Sequence, residues 1–534
     1  MKKRVTDLIN ICSDGLYERE EIVAVSLLSA ISGQSVFLYG PPGTAKSLIA
    51  RRLSKLFKDT THFEYLMQSF STPEDVFGPV SIQELKKDNY VRKTDGYLPT
   101  ADFAFLDEIW KSSPAILNTL LTIINERIYR NNGKDEKVPL KALIAASNET
   151  PPANQGLEAL YDRFVMRIVV NPLQEKENFK KLLEGGPVST DIDVAEGLQF
   201  SHAQWEQFPD EIHKITISKE VFAIINSIRA SIDEFNKANP EIHVYVSDRR
   251  WQKMAFVLKA SAFLCDRNEV IPVDTFILRH CLWTLEENRE LIDRIVVKCV
   301  QQYGCANYEK LNSWILSYGD IEHQVHDTFF YPEDIYDTEE VAGKQYFAVT
   351  SPQIKKSPNS PDQIRTTIRF YIPLEKVGTF EPFVPIDENG DPQSRLECNF
   401  NGSRTCEVRI QEKLLTSGWE FPIRSNSYVR WFDASPPVKF KRGTPKSVCP
   451  QVRSVFEEAC GNALTSLDQI IDNTVLFIAA QKKMNETPFV PAQKRQLMID
   501  AFNAFLSDLE NHKLNAQHLL EKVQTHAVAE PGNC

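Results

Sequence analysis

Short apolar runs alternate with helical periodicity over the first part of the chain. Continuous apolar runs are typical of strands buried on both faces of a parallel sheet. Such runs lie at residues 35–39, 103–106, 142–146 and 165–170. Helical patterns lie between them, at residues 47–57 and 114–126. This alternation predicts an α/β fold, a parallel sheet with helices on both faces.

The pattern changes twice along the rest of the chain. From residue 217 to 300 the apolar positions fall at helical spacing, as in Val221, Ile224 and Ile228, which predicts a small helical domain. Alternating runs with dense proline and turn signals then predict a β-rich domain. The predicted divisions are an α/β domain (1–183), a polar linker (184–216), a helical lid (217–300), a helical segment (301–339), a β-rich domain (340–449) and a second helical segment (450–534).

Composition narrows the classes of partner. The 534 residues carry 61 Lys and Arg against 72 Asp and Glu, a net charge of −11. A net acidic chain binds nucleic acid and anionic lipid poorly, because phosphate binding depends on Lys and Arg. No apolar stretch approaches the roughly 20 residues that span a bilayer, and Asp7 interrupts the N-terminal region before an apolar segment forms. We therefore expect no signal peptide, no membrane span, no nucleic-acid partner, reduced cysteines and a cytoplasmic location.

The strongest chemical motif is GPPGTAKS at residues 40–47. It follows a predicted strand and opens a predicted helix, as a phosphate-binding P-loop does. Gly40 and Gly43 let the backbone N–H groups converge on phosphate, Lys46 reaches the β- and γ-phosphates, and the Ser47 hydroxyl binds Mg²⁺. The predicted nucleotide contacts also include Thr44, Ala45 and Leu48. Ala45 replaces the usual second glycine, and the alternative is a simple Gly/Pro turn before a helix.

Two further strands end in polar residues suited to phosphoryl transfer. Asp107 and Glu108 follow the run 103–106 and match a Walker B pair, with Asp107 holding Mg²⁺ and Glu108 polarising the attacking water. Asn148 follows the run 142–146 and is placed to position that water or to contact the γ-phosphate. The alternatives are an acidic loop start and a strand-terminating turn asparagine.

Two arginine-bearing segments complete the candidate site. Arg163 precedes the last predicted strand, where it can reach the γ-phosphate of a neighbouring subunit. The alternative is a salt bridge with Asp162, and Arg167 is the fallback candidate. Ser247 fits a helix N-cap, and of the two arginines behind it we favour Arg249 over Arg250 as a γ-phosphate sensor on the lid. Here the alternative is two solvated arginines.

Together these elements resemble the AAA+ ATPases, and within them the MoxR group and its RavA-like members. The sequence segments that carry the resemblance are the P-loop itself and GLYER (15–19), FEYLM (63–67), STPEDVFGP (71–79), FLDEIWK (105–111), PAILNTLL (114–121), AASNE (145–149), LEALYDR (157–163) and YVSDRRW (245–251). The resemblance fades after about residue 330.

The resemblance implies ATP/ADP and Mg as cofactors and a hexameric ring with nucleotide at the subunit interfaces. It implies that Asn148 is sensor 1, Arg163 the finger acting in trans, and Arg249 sensor 2. Tyr17 would border the adenine or, alternatively, pack in the core. Segments 80–99 and 126–141 resemble the family's inserted hairpins, or are ordinary surface hairpins; Asn132 and Gly133 form a strong turn signal in the second.

The helical, β-rich, helical order after residue 300 resembles the RavA-like leg. By analogy alone this implies an inducible lysine decarboxylase as partner, but the leg sequence does not match. A von Willebrand factor A-domain protein is the family's other partner. The hypothesis is a Mg²⁺-dependent ATPase that remodels protein complexes as a chaperone does. The alternatives are a nucleotide-controlled scaffold whose output needs no hydrolysis, and a nucleic-acid motor.

Overall fold

A computed structural model describes the chain except for residues 152–156, 187, 306, 357–362, 401–404, 411–418, 421–423, 427–428 and 528–534. It divides into two compact units. The first contains Met1–Leu311 and Asp468–Asn511, and the second contains Asn312–Leu467 and His512–Cys534. The boundaries expected from the sequence remain predictions.

The helices occupy much of the chain in both units. They are α1 (Lys2–Ser13), α2 (Glu20–Ile31), α3 (Lys46–Ser54), α4 (Pro73–Phe77), α5 (Ile82–Leu85), α6 (Pro114–Glu126), α7 (Glu158–Tyr161), α8 (Lys176–Glu184), α9 (His202–His213), α10 (Lys219–Ala238), α11 (Asp248–Leu264), α12 (Arg279–Leu282), α13 (Glu286–Tyr303), α14 (Tyr308–Phe329), α15 (Pro450–Met484) and α16 (Ala492–Gln524).

The first unit is built on a parallel sheet. The strands of the first unit are β1 (Ser35–Tyr39), β2 (His62–Leu66), β3 (Phe103–Asp107), β4 (Ile128–Asn131), β5 (Lys134–Lys137), β6 (Ala142–Ser147), β7 (Phe164–Val169), β8 (Thr216–Ile217) and β9 (Glu269–Val270). The main sheet has the order β2-β3-β6-β1-β7, with every pair parallel. The predicted α/β fold is confirmed.

Side chains of β1 show how the sheet is covered on both faces. Val36 and Leu38 pack into one apolar core together with α2 and α3, whereas Phe37 packs into a second core with α6. Successive residues of a strand point to opposite faces, so a continuous apolar run is what a sheet with two covered faces requires. The helices in turn fix where each strand ends, and those ends carry the polar groups.

Two connections differ from their expected form. The predicted linker contains α9, which begins with a capping box between Ser201 and Gln204 and buries Phe208 and Ile212 in the first core. A Ser-x-x-Gln start before apolar residues at helical spacing is the signal for that helix. The segment 80–99 forms α5 and a single antiparallel bridge, Val80–Arg92, instead of a hairpin ladder. The hairpin of β4 and β5 forms as predicted, with positive φ at Asn132 and Gly133.

The predicted lid domain is helical. It contains α10, α11, a 3₁₀ segment (Pro272–Leu278), α12 and α13. Ser247 caps α11 by accepting a hydrogen bond from the Arg250 amide, which confirms the predicted N-cap.

The second unit contains the β-rich segment. Its strands are β10 (Ile335–Tyr336), β11 (Glu339–Val341), β12 (Lys344–Lys356), β13 (Gln363–Pro373), β14 (Leu396–Phe400), β15 (Cys406–Ile410), β16 (Trp419–Glu420), β17 (Arg424–Asn426), β18 (Val429–Ala434) and β19 (Val438–Phe440). Phe347, Phe370 and Phe400 belong to its buried core. The expected strand at 406–410 is present, and Tyr428 of another expected strand lies outside the described residues.

Two further features concern the predicted cell environment. Among the described residues, no helix is long and apolar enough to cross a membrane. Cys449 is disulfide-bonded, so the expectation of reduced cysteines throughout is wrong at that position, whereas the other described cysteines are free.

Candidate functional site

The loop between β1 and α3 has the backbone of a phosphate cradle. Gly40 has φ of +156°, and a Cβ at this residue would lie 2.3 Å from the carbonyl oxygen of Val170. Only glycine fits there. Gly43 also has positive φ, as does Ala45 at +69°. Because a left-handed alanine costs about 1–2 kcal/mol, the loop holds Ala45 in the strained conformation that glycine adopts freely.

Lys46 begins α3 and lies inside this loop. Its Nζ donates hydrogen bonds to the carbonyl oxygens of Gly40 (2.7 Å) and Pro41 (2.9 Å). Burial lowers the pKa of Lys46, and the carboxylates of Asp107 and Glu108 oppose that shift. Thr44 braces the loop through a 2.9 Å hydrogen bond from its hydroxyl to the Pro41 carbonyl. The ammonium group is therefore held next to the amides that would cradle phosphate.

The carboxylate pair lies at the end of β3. Burial raises the pKa of Asp107, which accepts a 3.0 Å hydrogen bond from the Glu108 amide. Glu108 has φ of +52° and forms a 3.4 Å ion pair with Lys111. Its Oε2 is buried without a hydrogen bond. Both carboxylates are thus partly removed from water, which strengthens their interaction with any cation placed between them.

Strand register brings these groups to one end of the sheet. Leu106 pairs with Ala145, and Tyr39 pairs with Ser147, whose carbonyl accepts a 3.1 Å hydrogen bond from the Gly40 amide. Asn148 is the next residue and is exposed. We call this the P-loop end of the sheet, defined by Gly40, Lys46, Ser47, Asp107, Glu108 and Asn148. It gathers the predicted phosphate, metal and water contacts.

The donor set at the P-loop end fits a magnesium ion. Ser47 and Asp107 supply oxygen atoms, and the pKa of Asp107 is raised by burial and further by the charges of Glu108 and Glu64. A divalent cation would relieve that repulsion. Among the described residues, no group of three or more His, Cys, Asp or Glu side chains could enclose a metal. Mg²⁺ needs no such cage, because it takes one or two protein ligands and completes its shell with water and phosphate.

An apolar cavity of 380 Å³ adjoins the P-loop. Tyr17, the predicted adenine contact, and Leu48, a predicted nucleotide contact, line it. Apolar residues that sequence reasoning missed also line it: Leu16, Pro172, Leu173, Phe179, Leu182 and Val188. Phe179 and Leu182 lie on α8 and are exposed. The cavity suits a flat apolar base.

Glu18 and Arg19 connect this cavity to the P-loop. Arg19 donates to the carbonyl oxygens of Asn171 (2.6 Å) and Thr44 (3.4 Å). Glu18 accepts 2.9 Å hydrogen bonds from the amides of Gln174 and Glu175 before α8, which lower its pKa. The pair therefore fixes the segment after β7 against the loop, a role that we did not assign from the sequence.

Arg163 lies at the opposite end of the sheet. It precedes Phe164, which pairs with Ser35 at the start of β1, whereas the P-loop follows Tyr39, which pairs with Val169. At 3.3 Å per residue the two ends are about 17 Å apart. Arg163 donates to the Ala159 carbonyl, and Asp162 accepts a 3.0 Å hydrogen bond from the Ser247 hydroxyl. We call this opposite end the finger end. From it, Arg163 cannot reach phosphate in its own P-loop.

The other candidate arginines differ in burial and in the groups to which they donate hydrogen bonds. Arg167 is buried and donates to the carbonyls of Tyr161 (2.8 Å) and Trp283 (2.6 Å), which removes it as a fallback finger. Arg250 is buried too, and donates to the Cys281 carbonyl. Arg249 is exposed and donates to Asn125 Oδ1 at the end of α6 (2.9 Å). Of the pair on α11, Arg249 alone has a side chain on the surface.

Comparison with known proteins gives two family matches. Residues 3–208 match a family model described as the MoxR domain in the MoxR-vWA-beta-propeller ternary systems, and residues 220–296 match an AAA lid domain. One uncharacterized protein of Methanocaldococcus jannaschii is 36% identical over 288 residues, which is 54% of this chain and 72% of the relative. A second uncharacterized protein of that organism is 39% identical over 270 residues, 50% of this chain and 68% of the relative.

One solved structure is also similar. It is that of a Cytophaga hutchinsonii protein provisionally described as an ATPase, 20% identical, with a TM-score of 0.44 over 55% of this chain and 94% of that chain.

Proposed function

We propose that this chain, which belongs to the MoxR-type AAA+ ATPases, hydrolyses ATP to ADP and phosphate with the help of Mg²⁺, at sites completed by a neighbouring copy. The observation that carries the proposal is the separation of the two ends of the sheet. The P-loop end gathers the residues predicted to contact phosphate, metal and water, whereas the predicted finger lies about 17 Å away. A complete reaction centre therefore requires two subunits.

The chemistry follows from the residues at the P-loop end. The backbone amides of the loop and the Lys46 ammonium bind the phosphates, and the apolar cavity holds the adenine. Glu108 accepts a hydrogen bond from the attacking water and draws its proton away, while Asn148 orients that water. When bound through Ser47 and Asp107, Mg²⁺ supplies charge neutralisation at the β- and γ-phosphates. Arg163 of a neighbouring copy stabilises the charge that develops on the transferred group.

Repeating such a head-to-tail contact generates a ring if the rotation closes. We propose a ring, with six subunits as the family resemblance implies. ATP bound between subunits then couples the finger end of one subunit to the P-loop end of the next. We propose that this coupling remodels protein complexes, as a chaperone-like regulator does. We also propose that, within the MoxR group, this chain is most similar to the RavA-like members.

The proposed partner is a von Willebrand factor A-domain protein. The MoxR domains of the matching family model are described from MoxR-vWA-beta-propeller ternary systems, which supports the proposal. The lysine decarboxylase implied by analogy is not proposed, because no feature of the β-rich segment supports it.

The activity is tested by phosphate release from ATP with and without Mg²⁺, for the native chain and for Lys46→Gln. We expect Mg²⁺-dependent turnover that the substitution abolishes. Lys55→Gln is the matched control, since Lys55 directly follows α3 and its exposed side chain forms a surface ion pair with Asp191 (3.6 Å). Full activity of Lys46→Gln would refute the site, and output that persists in a Glu108→Gln chain unable to hydrolyse ATP would favour the scaffold alternative.

A further inference from the structure

The finger end carries more positive charge than one arginine supplies. Arg249 and Lys253 are one turn apart on α11, so they share a face of that helix. Arg127 ends α6 and donates a 2.8 Å hydrogen bond to the Gly33 carbonyl, just before β1. Arg163 precedes β7. Residues from three separate elements thus bring cationic groups to the same end of the sheet.

We call these four side chains the cation cluster: Arg127, Arg163, Arg249 and Lys253. The charges of the three arginines act on Lys253, and Arg249 donates a 2.9 Å hydrogen bond to Asn125, two residues before Arg127. The pKa of Lys253 is lowered to about 8, chiefly by burial and then by the charges of Arg249, Arg127 and Arg163. The carboxylate of Asp162 opposes this shift. That carboxylate is already engaged by the Ser247 hydroxyl and lies 3.9 Å from Arg250.

Several donors of the cation cluster have no acceptor. Arg127 Nη1 and Arg163 Nε are buried and make no hydrogen bond. Among the described residues, Lys253 has neither a hydrogen bond nor an ion pair. The buried Arg167 differs, because its guanidinium donates to three backbone carbonyls, those of Phe164, Trp283 and Tyr161. Unused donors and uncompensated charge cost stability, and a polyanion would satisfy both.

We infer that Arg127 and Lys253 act with Arg163 and Arg249 to bind the terminal phosphates of ATP held in the P-loop of a second copy of this chain. This inference rests on the proposed function and adds two residues to the half of the site that acts in trans. The ATP of the same subunit is excluded as the ligand, because its phosphates lie at the other end of the sheet, about 17 Å away. A terminal phosphate carries the several acceptor oxygens that the donors of the cation cluster require.

The first test compares two variants, Lys253→Met and Lys253→Arg, with Lys259→Met as the control. Lys259 lies on the same helix, six residues after Lys253, and its Nζ lies 3.5 Å from the His213 carbonyl oxygen. We expect Lys253→Met to lower kcat about tenfold with unchanged ATP binding, Lys253→Arg to restore most of the rate, and the control to match the native chain. A native rate in Lys253→Met would overturn the inference.

The melting temperature of Lys253→Met shows whether Lys253 contacts the ligand or has a structural role. Lys253→Met removes a repelled charge that has no partner in the free chain, so its melting temperature should equal or exceed that of the native protein although its rate falls. A lower melting temperature together with a lower rate, both corrected by Lys253→Arg, would assign Lys253 a structural role and overturn the inference.

The second test decides between a neighbouring ATP and any other anion. Lys253→Met subunits keep an intact P-loop end, and Lys46→Gln subunits keep an intact cation cluster. Assemblies that contain both, purified through a tag on one variant, should exceed the summed rates of the separate variants. Absence of recovery in these mixed assemblies would overturn the inference. If the native chain itself neither assembles nor hydrolyses ATP, the proposed function fails instead, and the two failures are distinguishable.

Discussion

The two ends of the same sheet differ in charge and in how complete they are. At the P-loop end, the half-buried carboxylates of Asp107 and Glu108 interact with Lys46, whose ammonium donates to the loop carbonyls, and Glu108 also pairs with Lys111. At the finger end, the cation cluster has buried donors without acceptors, and the carboxylate of Asp162 partly offsets its charge. A cation and phosphate would neutralise the charges at the P-loop end, and an anion would neutralise those at the finger end.

This difference explains why neither end can work alone. Phosphoryl transfer depends on positioning and on charge stabilisation around the transferred group. In the proposed mechanism the P-loop end positions ATP and water but lacks the arginine, and the finger end holds that arginine about 17 Å from its own P-loop. The proposed assembly of two copies would bring the complementary ends together, so substitutions at the two ends should fail in different ways.

The largest effect is expected for Arg163→Ala. Loss of a finger arginine should lower kcat by about 10³, while binding of a fluorescent ATP analogue stays unchanged because the P-loop end is intact. Arg130→Ala is the control, since Arg130 is exposed and pairs with Asp135 within its own hairpin (3.0 Å). Loss of nucleotide binding in Arg163→Ala would contradict the proposal that the P-loop end binds ATP and that the finger end acts only on the reaction.

Gly40→Ala should damage the P-loop end alone. Its Cβ would meet the Val170 carbonyl at 2.3 Å, so we expect a loss of about 2–4 kcal/mol in the free energy of unfolding and loss of ATP binding. Gly133→Ala is matched in positive φ but has no atom within 4 Å of the added carbon. Chemical denaturation should show a loss of only about 1 kcal/mol for that control. Equal losses in the two variants would show that the contact with Val170 is unimportant.

The finger end should reveal itself in pH dependence. The pKa of Lys253 is lowered to about 8 from 10.5, so between these values the unfolded chain binds more protons than the folded one. The free energy of unfolding should therefore rise with pH across this window. The slope corresponds to a difference of less than one bound proton between the unfolded and the folded chain. Denaturation of the native chain and of Lys253→Met at several pH values checks this, and an identical slope in both would contradict the assignment.

The smallest effect is expected for Ala45→Gly. Relief of the left-handed alanine should stabilise the protein by up to about 1 kcal/mol, because part of the gain is lost to the greater freedom of glycine in the unfolded chain. Calorimetry should show a slightly higher melting temperature with ATP binding retained. A clear loss of stability would mean that the Ala45 methyl group makes a packing contribution larger than its strain.

The P-loop end was largely predictable from the sequence because its groups follow one another along the chain. Gly40 to Ser47 form a continuous motif after an apolar run, and Asp107 and Asn148 come directly after runs of the same kind. In a parallel sheet the ends of such runs meet. The fold class follows from the same pattern, whereas the order of the strands is seen only in the structure.

The finger end was not predictable in the same way. Arg127, Arg163 and Lys253 lie on different elements and are far apart in sequence, and only the packing of α6, α7 and α11 brings them together. In the sequence Arg167 is the fallback for Arg163, and Arg250 is the less favoured of its pair. The structure removes both, because they are buried and donate to the carbonyls of Trp283 and Cys281. The apolar wall of the adenine cavity depends likewise on α8, whose position no local pattern specifies.

The central claim is that one reaction centre is shared between two copies, and mixing two inactive variants tests it most directly. Glu108→Gln subunits keep the finger end, and Arg163→Ala subunits keep the P-loop end. The account predicts that mixed assemblies recover ATP hydrolysis above the sum of the separate variants, with the recovered rate highest at intermediate mixing ratios. Mixed assemblies that form but remain as inactive as their components would contradict it.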